Sequence, residues 1–284
     1  MESQNIKERL NIIKENDGYW RVVITSDKLN RFDPWMFAEL NVLMDKMEKD
    51  EKLKVVVFES GNEEFFMGHH DVENRLKIPN QEGAKPFFYE WPNFVSRLSN
   101  CRVISIAKVR GRAWAQGFEF ALACDMRFAS KEKAQFGLVE AGAGSIPGGG
   151  GIEWLCSLVG RSRALEIIAS ADAYNAELGE RYGFINRAIP DAELDEFVDK
   201  YAKRIARNEK KSLYMIKKLV NARAGVPSNG DLFTSNYILH TVDQWPEGLE
   251  HYKRVAQQGF NTYGEFELNL GSRITDPLPE GNKK

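Results

Sequence analysis

Nothing in this chain points to a membrane, a disulfide framework or a polyanion. No apolar run approaches the ~20 residues that a spanning helix needs. The opening MESQNIKERL lacks the basic-then-apolar layout of a secretory leader, so a soluble, cytoplasmic protein is expected. Cysteine is scarce: Cys101, Cys124 and Cys156 are an odd number with no CxxC spacing, and Cys124 sits in an apolar run, which suits reduced structural thiols. A charge excess is missing too. The 39 basic and 41 acidic residues leave a formal net charge of -2 and are interspersed, so no electrostatic footprint for nucleic acid or anionic lipid appears. Repeats and low-complexity stretches are also absent. What remains is a chain of 284 residues, 43% hydrophobic, able to bury one large core or a core with a helical appendage.

The apolar spacing gives that core an order. WRVVIT (20–25) and KVVVFE (54–59) are β-branched runs, and between them residues 33–50 carry Phe37, Leu40, Leu43, Met44 and Met47 at helical spacing. A third strand, VISIAKV (103–109), leads through a Gly-rich turn into residues 118–124, short and apolar enough to be a buried helix. Strand candidates at 126–129 and 134–136 precede the helix-breaking run Pro147-Gly148-Gly149-Gly150-Gly151. Alternating strands and helices predict an α/β architecture. From residue 191 the pattern is almost wholly helical, at 191–207, 210–222, 231–240 and 247–257, and the last residues, SRITDPLPEGNKK, suggest a frayed tail. The expected division is a core over 1–200 and a helical region over 201–284.

Two features carry chemistry. In Gly111-Arg112-Ala113-Trp114-Ala115-Gln116-Gly117-Phe118-Glu119 a strand passes through small residues straight into a helix, so free backbone N–H groups and the helix dipole meet at one spot. Such donors suit a carbonyl becoming an enolate, each being worth roughly 2.7–4 kcal/mol; an ordinary tight turn is the alternative. A second turn, Phe65-Phe66-Met67-Gly68-His69-His70-Asp71, offers a partner donor, with Asp71 able to cap a following helix. The other feature is a pair of carboxylates: Glu119 amid Phe118, Phe120, Ala121 and Leu122, and Glu140 before the Gly-rich loop. A carboxylate in apolar surroundings must be paired or protonated, and acid-base work at neutral pH requires a raised carboxylate pKa. A structural salt bridge or a solvent-facing position is the competing explanation for either one.

Taken in order, VRGRAWAQGFEFALACDMRFAS, KAQFGLVEAGAGSIPGGGG, and LVGRSRALEII followed by ERYGFINRAIP resemble the crotonase superfamily of enoyl-CoA hydratases and isomerases, over roughly residues 20–259. The resemblance implies a ββα spiral core with C-terminal helices that build trimers, often paired into hexamers. It also implies acyl-CoA or a related thioester as substrate, in fatty acid metabolism, with no cofactor beyond the coenzyme A that the substrate carries, and no metal. By position, Glu119 and Glu140 fall on the two hydratase glutamates, Glu119 as the base that activates water and Glu140 as the acid. The oxyanion amides would be those of His70 and Gln116. Gly68, His69, Trp114, Gly117, Gly144 and Lys28 would contact substrate, Lys28 near the CoA nucleotide; Trp114 would shape the pocket or else be core.

This chain departs from the family pattern at four places. Gln116 stands among the usual glycines and alanines. His69 and His70 replace small residues, either as acid-base or recognition groups or as one surface and one packed side chain; facing opposite ways in an extended segment, they make a two-His metal site unexpected. The Arg-Pro after the first strand is missing, and Val139 replaces a proline. The variable segment 74–92, with Pro86-Phe87-Phe88-Tyr89 and Trp91, would line the acyl pocket or pack the next helix. An isomerase, or a hydrolase of carbon-carbon bonds acting on a non-CoA carbonyl, is the alternative reaction. A scaffold without catalysis fits poorly with two retained glutamates.

Overall fold

Side-chain alternation along the strands decides which layer each residue joins. The computed structural model describes residues 8–73 and 87–277, the side chains of residues 87–89 excepted. In chain order its elements are β1 Leu10–Asn16, β2 Tyr19–Ile24, α1 Pro34–Lys49, β3 Val55–Ser60, β4 Phe65–Met67, α2 Phe87–Asn100, β5 Ile104–Val109, β6 Arg112–Trp114 and α3 Gln116–Ala123. There follow β7 Met126–Ser130, β8 Gln135–Gly137, a single 3-10 turn Glu140–Ala143, α4 Gly151–Ser170, β9 Tyr174–Asn175, α5 Ala176–Tyr182 and β10 Arg187–Ile189. The chain closes with α6 Asp191–Ala206, α7 Lys210–Ala224, α8 Asn229–Val242, α9 Pro246–Gln257, α10 Glu265–Leu268 and α11 Leu270–Arg273.

These strands make two sheets, one of six in the order β1-β2-β3-β5-β7-β10 and one of four in the order β4-β6-β8-β9. Only β1 and β9 run antiparallel to their neighbours. β3 shows why the larger sheet reads as a continuous apolar run: both faces are covered. Val55 and Val57 pack with Leu194, Val198 and Ala202 of α6, whereas Val56 and Phe58 join the main core with α1, α2 and α3. The strand-helix-strand unit, β5, α3, β7, β8 and the C-terminal helices lie where the apolar spacing puts them, within a few residues. β1, β9 and β10 are not marked by the apolar spacing, and the strands entering the two turns, β4 and β6, are three residues each. Residue 200 falls inside α6, which packs on β2, β3 and β7, so that helix sits against the sheet. The three cysteines are free, Cys101 and Cys124 buried and Cys156 exposed. Among the described residues no helix is long and apolar enough to cross a membrane.

α3 runs through the middle of the core, and every one of its residues is buried. Its C-terminal carbonyls therefore need a partner other than water. Arg127 supplies one: its Nη1 donates to the carbonyls of Ala121 (3.2 Å), Leu122 (3.2 Å) and Cys124 (2.6 Å), and its Nε donates to that of Phe184 (2.7 Å). A cation at that end also complements the helix dipole. Arg127→Met fills similar space but strands these carbonyls, so a loss of at least about 3 kcal/mol is expected. Chemical denaturation should show it as a lower midpoint.

Candidate active site

β6 ends at Trp114 and α3 begins at Gln116, so Ala115 alone must reverse the chain. It does so at φ 49° and ψ -118°, a conformation L residues rarely hold and one that costs on the order of 1–3 kcal/mol. The Ala115 N–H is used by the Gly137 carbonyl (2.8 Å). Gln116 is the first residue of α3, where a helix has no acceptor of its own for the N–H. Gly117 follows because nothing larger fits: a Cβ there would fall inside the Met67 carbonyl oxygen. The start of α3 is thus pressed against the end of β4.

The second turn leaves β4 beside that helix start. Phe32 bridges His70 in parallel fashion, donating its N–H to the His69 carbonyl (3.1 Å) and accepting from the Asp71 N–H (2.8 Å). Parallel pairing of this kind turns the N–H of the intervening residue, His70, to the other side of the strand. Gly68 is held by the Asn30 carbonyl (3.1 Å), and Asp71 meets the Arg31 guanidinium at 3.5 Å. Whether Asp71 caps a following helix lies outside the described residues, as do residues 74–86 of the expected acyl-pocket segment.

Glu119 is 4% exposed. Its Oε1 accepts from the Gly149 N–H (2.8 Å) and the Gly151 N–H (3.0 Å). Burial pushes its pKa up, those two N–H groups hold it down, and Glu153 pushes it up again, leaving it at about 7. The Gly-rich run therefore serves as a donor cradle as well as a helix breaker. It approaches so closely that a Cβ at Gly149 would overlap Glu119 Oε2 and crowd the Trp91 indole. Trp91 Nε1 donates to the Gly149 carbonyl (2.9 Å) and its ring packs edge-on against Phe32, centroids 4.7 Å apart. It thus packs α2 onto the core and borders the cavity as well. Glu140 opens the 3-10 turn. Its pKa is raised well above the ordinary carboxylate range, first by burial, then by the charge of Glu119 and, further off, of Asp243.

Both carboxyls border one cavity of about 190 Å³, together with His69, His70, Gln116 and Gly144. Gln116 Oε1 and Glu140 Oε2 are buried with no hydrogen-bond partner among the described residues. The far wall comes from α8, α9 and the loop beyond, through Asn236, Leu239, Asp243, Leu249, Tyr252 and Phe260, none of which the sequence singled out. His69 is 3% exposed and stacks on Phe260, and His70 is half-buried. Gly68 and Gly117 do not border the cavity; a Cβ at either would overlap a backbone carbonyl oxygen, of Leu29 and Met67 respectively.

Trp114 and Lys28 do not border this cavity either. Trp114 is fully buried in a second core cluster with Phe266 and Leu270, its side chain not bordering the cavity although its neighbour Ala115 does. Lys28 is exposed and lies over the Tyr263 ring, 5.4 Å from its centroid. No group of three or more His, Cys, Asp or Glu among the described residues could hold a metal ion.

A buried carboxyl with a raised pKa carries a stability cost. The folded state holds the Glu119 proton more tightly than the unfolded chain, so folding weakens as pH rises from 4.5 through about 7. Glu119→Gln removes the ionisation but keeps an oxygen for the two glycine N–H groups. Above pH 7 the variant should be more stable than the parent by on the order of 3 kcal/mol, and the difference should vanish below pH 4.5. Thermal melts across that range check the sign.

A family model described as Enoyl-CoA hydratase/isomerase matches residues 18–257. The solved structure of a candidate enoyl-CoA hydratase from Streptomyces avermitilis superposes with a TM-score of 0.89 at 32% identity, over 96% of this chain and 98% of that one. The short-chain-enoyl-CoA hydratase of Clostridium acetobutylicum is 29% identical over 213 residues, 74% of this chain and 81% of the relative. The mitochondrial enoyl-CoA hydratase of Pongo abelii is 31% identical over 195 residues, 68% of this chain and 65% of the relative.

Proposed function

Because the chain belongs to the enoyl-CoA hydratase/isomerase family, we propose that it is a hydro-lyase that adds water across the double bond of a 2-enoyl-CoA thioester. The observation that carries this reading is the pair of buried carboxyls on one cavity, both with raised proton affinity, of which Glu119 accepts two backbone N–H bonds. Glu119 has two backbone donors stabilising its charged form, and titrates near 7; Glu140, buried and facing the charge of Glu119, has its pKa raised well above the ordinary carboxylate range. Addition of water needs one carboxyl of such a pair ionised and the other protonated, and raised pKa values bring that condition towards neutral pH.

In the forward direction the thioester oxygen sits between the His70 and Gln116 N–H groups, which polarise it. The Glu119 carboxylate takes a proton from water while the water oxygen bonds to the β-carbon, and the double-bond electrons move to the thioester oxygen as an enolate. That enolate collapses by taking the Glu140 proton at the α-carbon. One water has been added, Glu119 is left protonated and Glu140 ionised, and solvent exchange resets both. Coenzyme A arrives as part of the substrate, and no cofactor is required. His69, Gly68, Gly117 and Gly144 shape the wall around the thioester. The exposed apolar residues Met215, Ile216, Leu219 and Val220 of α7 support self-association into the trimers or hexamers expected above, and we assign the protein to the cytoplasm.

The test is incubation of the purified protein with crotonyl-CoA and longer 2-enoyl-CoAs, following loss of the conjugated thioester absorbance. Turnover is expected. No turnover at any chain length would favour an isomerase, or a carbon-carbon bond hydrolase acting on a non-CoA carbonyl.

A further inference from the structure

One residue near the C-terminus reaches both turns that offer the two amides. Glu267 of α10 is fully buried. Its Oε1 pairs with His69 Nε2 at 3.0 Å, and its backbone carbonyl accepts the Trp114 indole N–H at 3.1 Å. His69 immediately precedes His70, and Trp114 stands two residues before Gln116. The carboxylate is itself held by the Asn261 N–H, 2.6 Å from the same Oε1, while Phe260 stacks on the imidazole with centroids 4.4 Å apart. On the far side of the ring, Nδ1 meets the His70 carbonyl at 2.9 Å. Both ring nitrogens are therefore engaged inside the protein. Burial opposes protonation of His69, but Glu267 and the His70 carbonyl more than offset it and hold the imidazole above its ordinary pKa. Glu267 Oε2 is buried with no hydrogen-bond partner among the described residues, a costly feature for a residue that only packs.

We propose that Glu267 is a positioning residue that sets the separation of the His70 and Gln116 amides, bracing His69 with its carboxylate and Trp114 with its backbone carbonyl. The inference rests on reading those two amides as the oxyanion donors. Its energetic basis is that donors pay off only at the right spacing, and a misplacement of about 1 Å costs on the order of 10²-fold in rate.

The probe is the full-length protein with para-dimethylaminocinnamoyl-CoA, a push-pull thioester whose absorbance moves to the red when its carbonyl is polarised, whether or not it turns over. Glu267→Ala should lose more than about half of the red shift and about 10–100-fold in kcat on crotonyl-CoA, with KM within about threefold. Glu267→Gln keeps an oxygen for His69 and Asn261, and should retain most of the red shift. Trp114→Phe removes the other brace, the indole N–H on the Glu267 carbonyl that Glu267→Ala leaves in place, and should also lose part of the red shift. A red shift in Glu267→Ala equal to that of the parent overturns the proposal, as does Glu267→Gln failing as badly as the alanine variant. Should Glu267→Ala not fold, the other two variants decide. A parent protein that binds the probe with no red shift at all sinks the oxyanion reading beneath it, a different result from either.

Discussion

Glu140→Gln is expected to lower kcat for hydration of crotonyl-CoA by about 10²–10⁴-fold, the usual worth of a positioned general acid or base. The substitution keeps shape and hydrogen-bonding capacity but has no proton to give the α-carbon. Ground-state affinity for the thioester should change little, because the lost interaction belongs to the transition state. The pH profile supplies a second readout. In the parent, kcat/KM should be bell-shaped, because the reaction needs one carboxyl of the pair ionised and the other protonated; Glu119 titrates at about 7 and the pKa of Glu140 is raised well above the ordinary range. Glu140 takes its raised pKa partly from the charge of Glu119, so the two limbs belong to the pair. Residual activity in Glu140→Gln should keep the rising limb and lack the falling one. A variant with kcat within about threefold of the parent would remove Glu140 from the proton-transfer role.

How far the site can be read in the sequence depends on distance along the chain. Glu119 stands out because Phe118, Phe120, Ala121 and Leu122 leave no polar face on which a carboxylate could be solvated. The main strands and helices stand out because β3 and β5 are apolar on both faces and α1 keeps a regular stripe. β4 and β6, three residues each, are too short for any period to show. β1 is an edge strand with much of its surface exposed, and LNIIKEN alternates too weakly to separate from a loop. Trp114 illustrates a different limit: closeness to the donor turn allows a pocket wall or a core position alike, and its side chain lies in the second core cluster against the C-terminal segment. The far wall is the least legible part. Glu267 meets His69 across 198 positions, and a helix of four residues shows no spacing that would mark its glutamate as buried.

Gly117→Ala should be among the most damaging single-methyl additions in this protein, even though it replaces a helical glycine by the best helix former. Propensity alone favours the change by roughly 1 kcal/mol. Against it stands the Met67 carbonyl oxygen, which occupies the place a Cβ would take, with the Gly68 carbonyl 2.9 Å away. These are backbone atoms of β4 and the turn after it, so no rotamer can relieve the overlap. Either the start of α3 lifts off β4 or the turn moves, at a net cost of about 3 kcal/mol or more. Both escapes change the distance between the Gln116 and His70 amides, so kcat should fall by at least about 10²-fold even in the fraction that stays folded. Ala115→Gly, two residues earlier, should behave oppositely in stability: it removes a side chain from the φ 49° position and is expected to be neutral or to stabilise by up to about 1 kcal/mol. Melting curves of the two variants, read beside the red shift of the bound cinnamoyl thioester, separate a turn that needs space from one that needs an unusual backbone angle. Equal melting temperatures for Gly117→Ala and the parent would mean that α3 does not press on β4 as closely as this geometry requires.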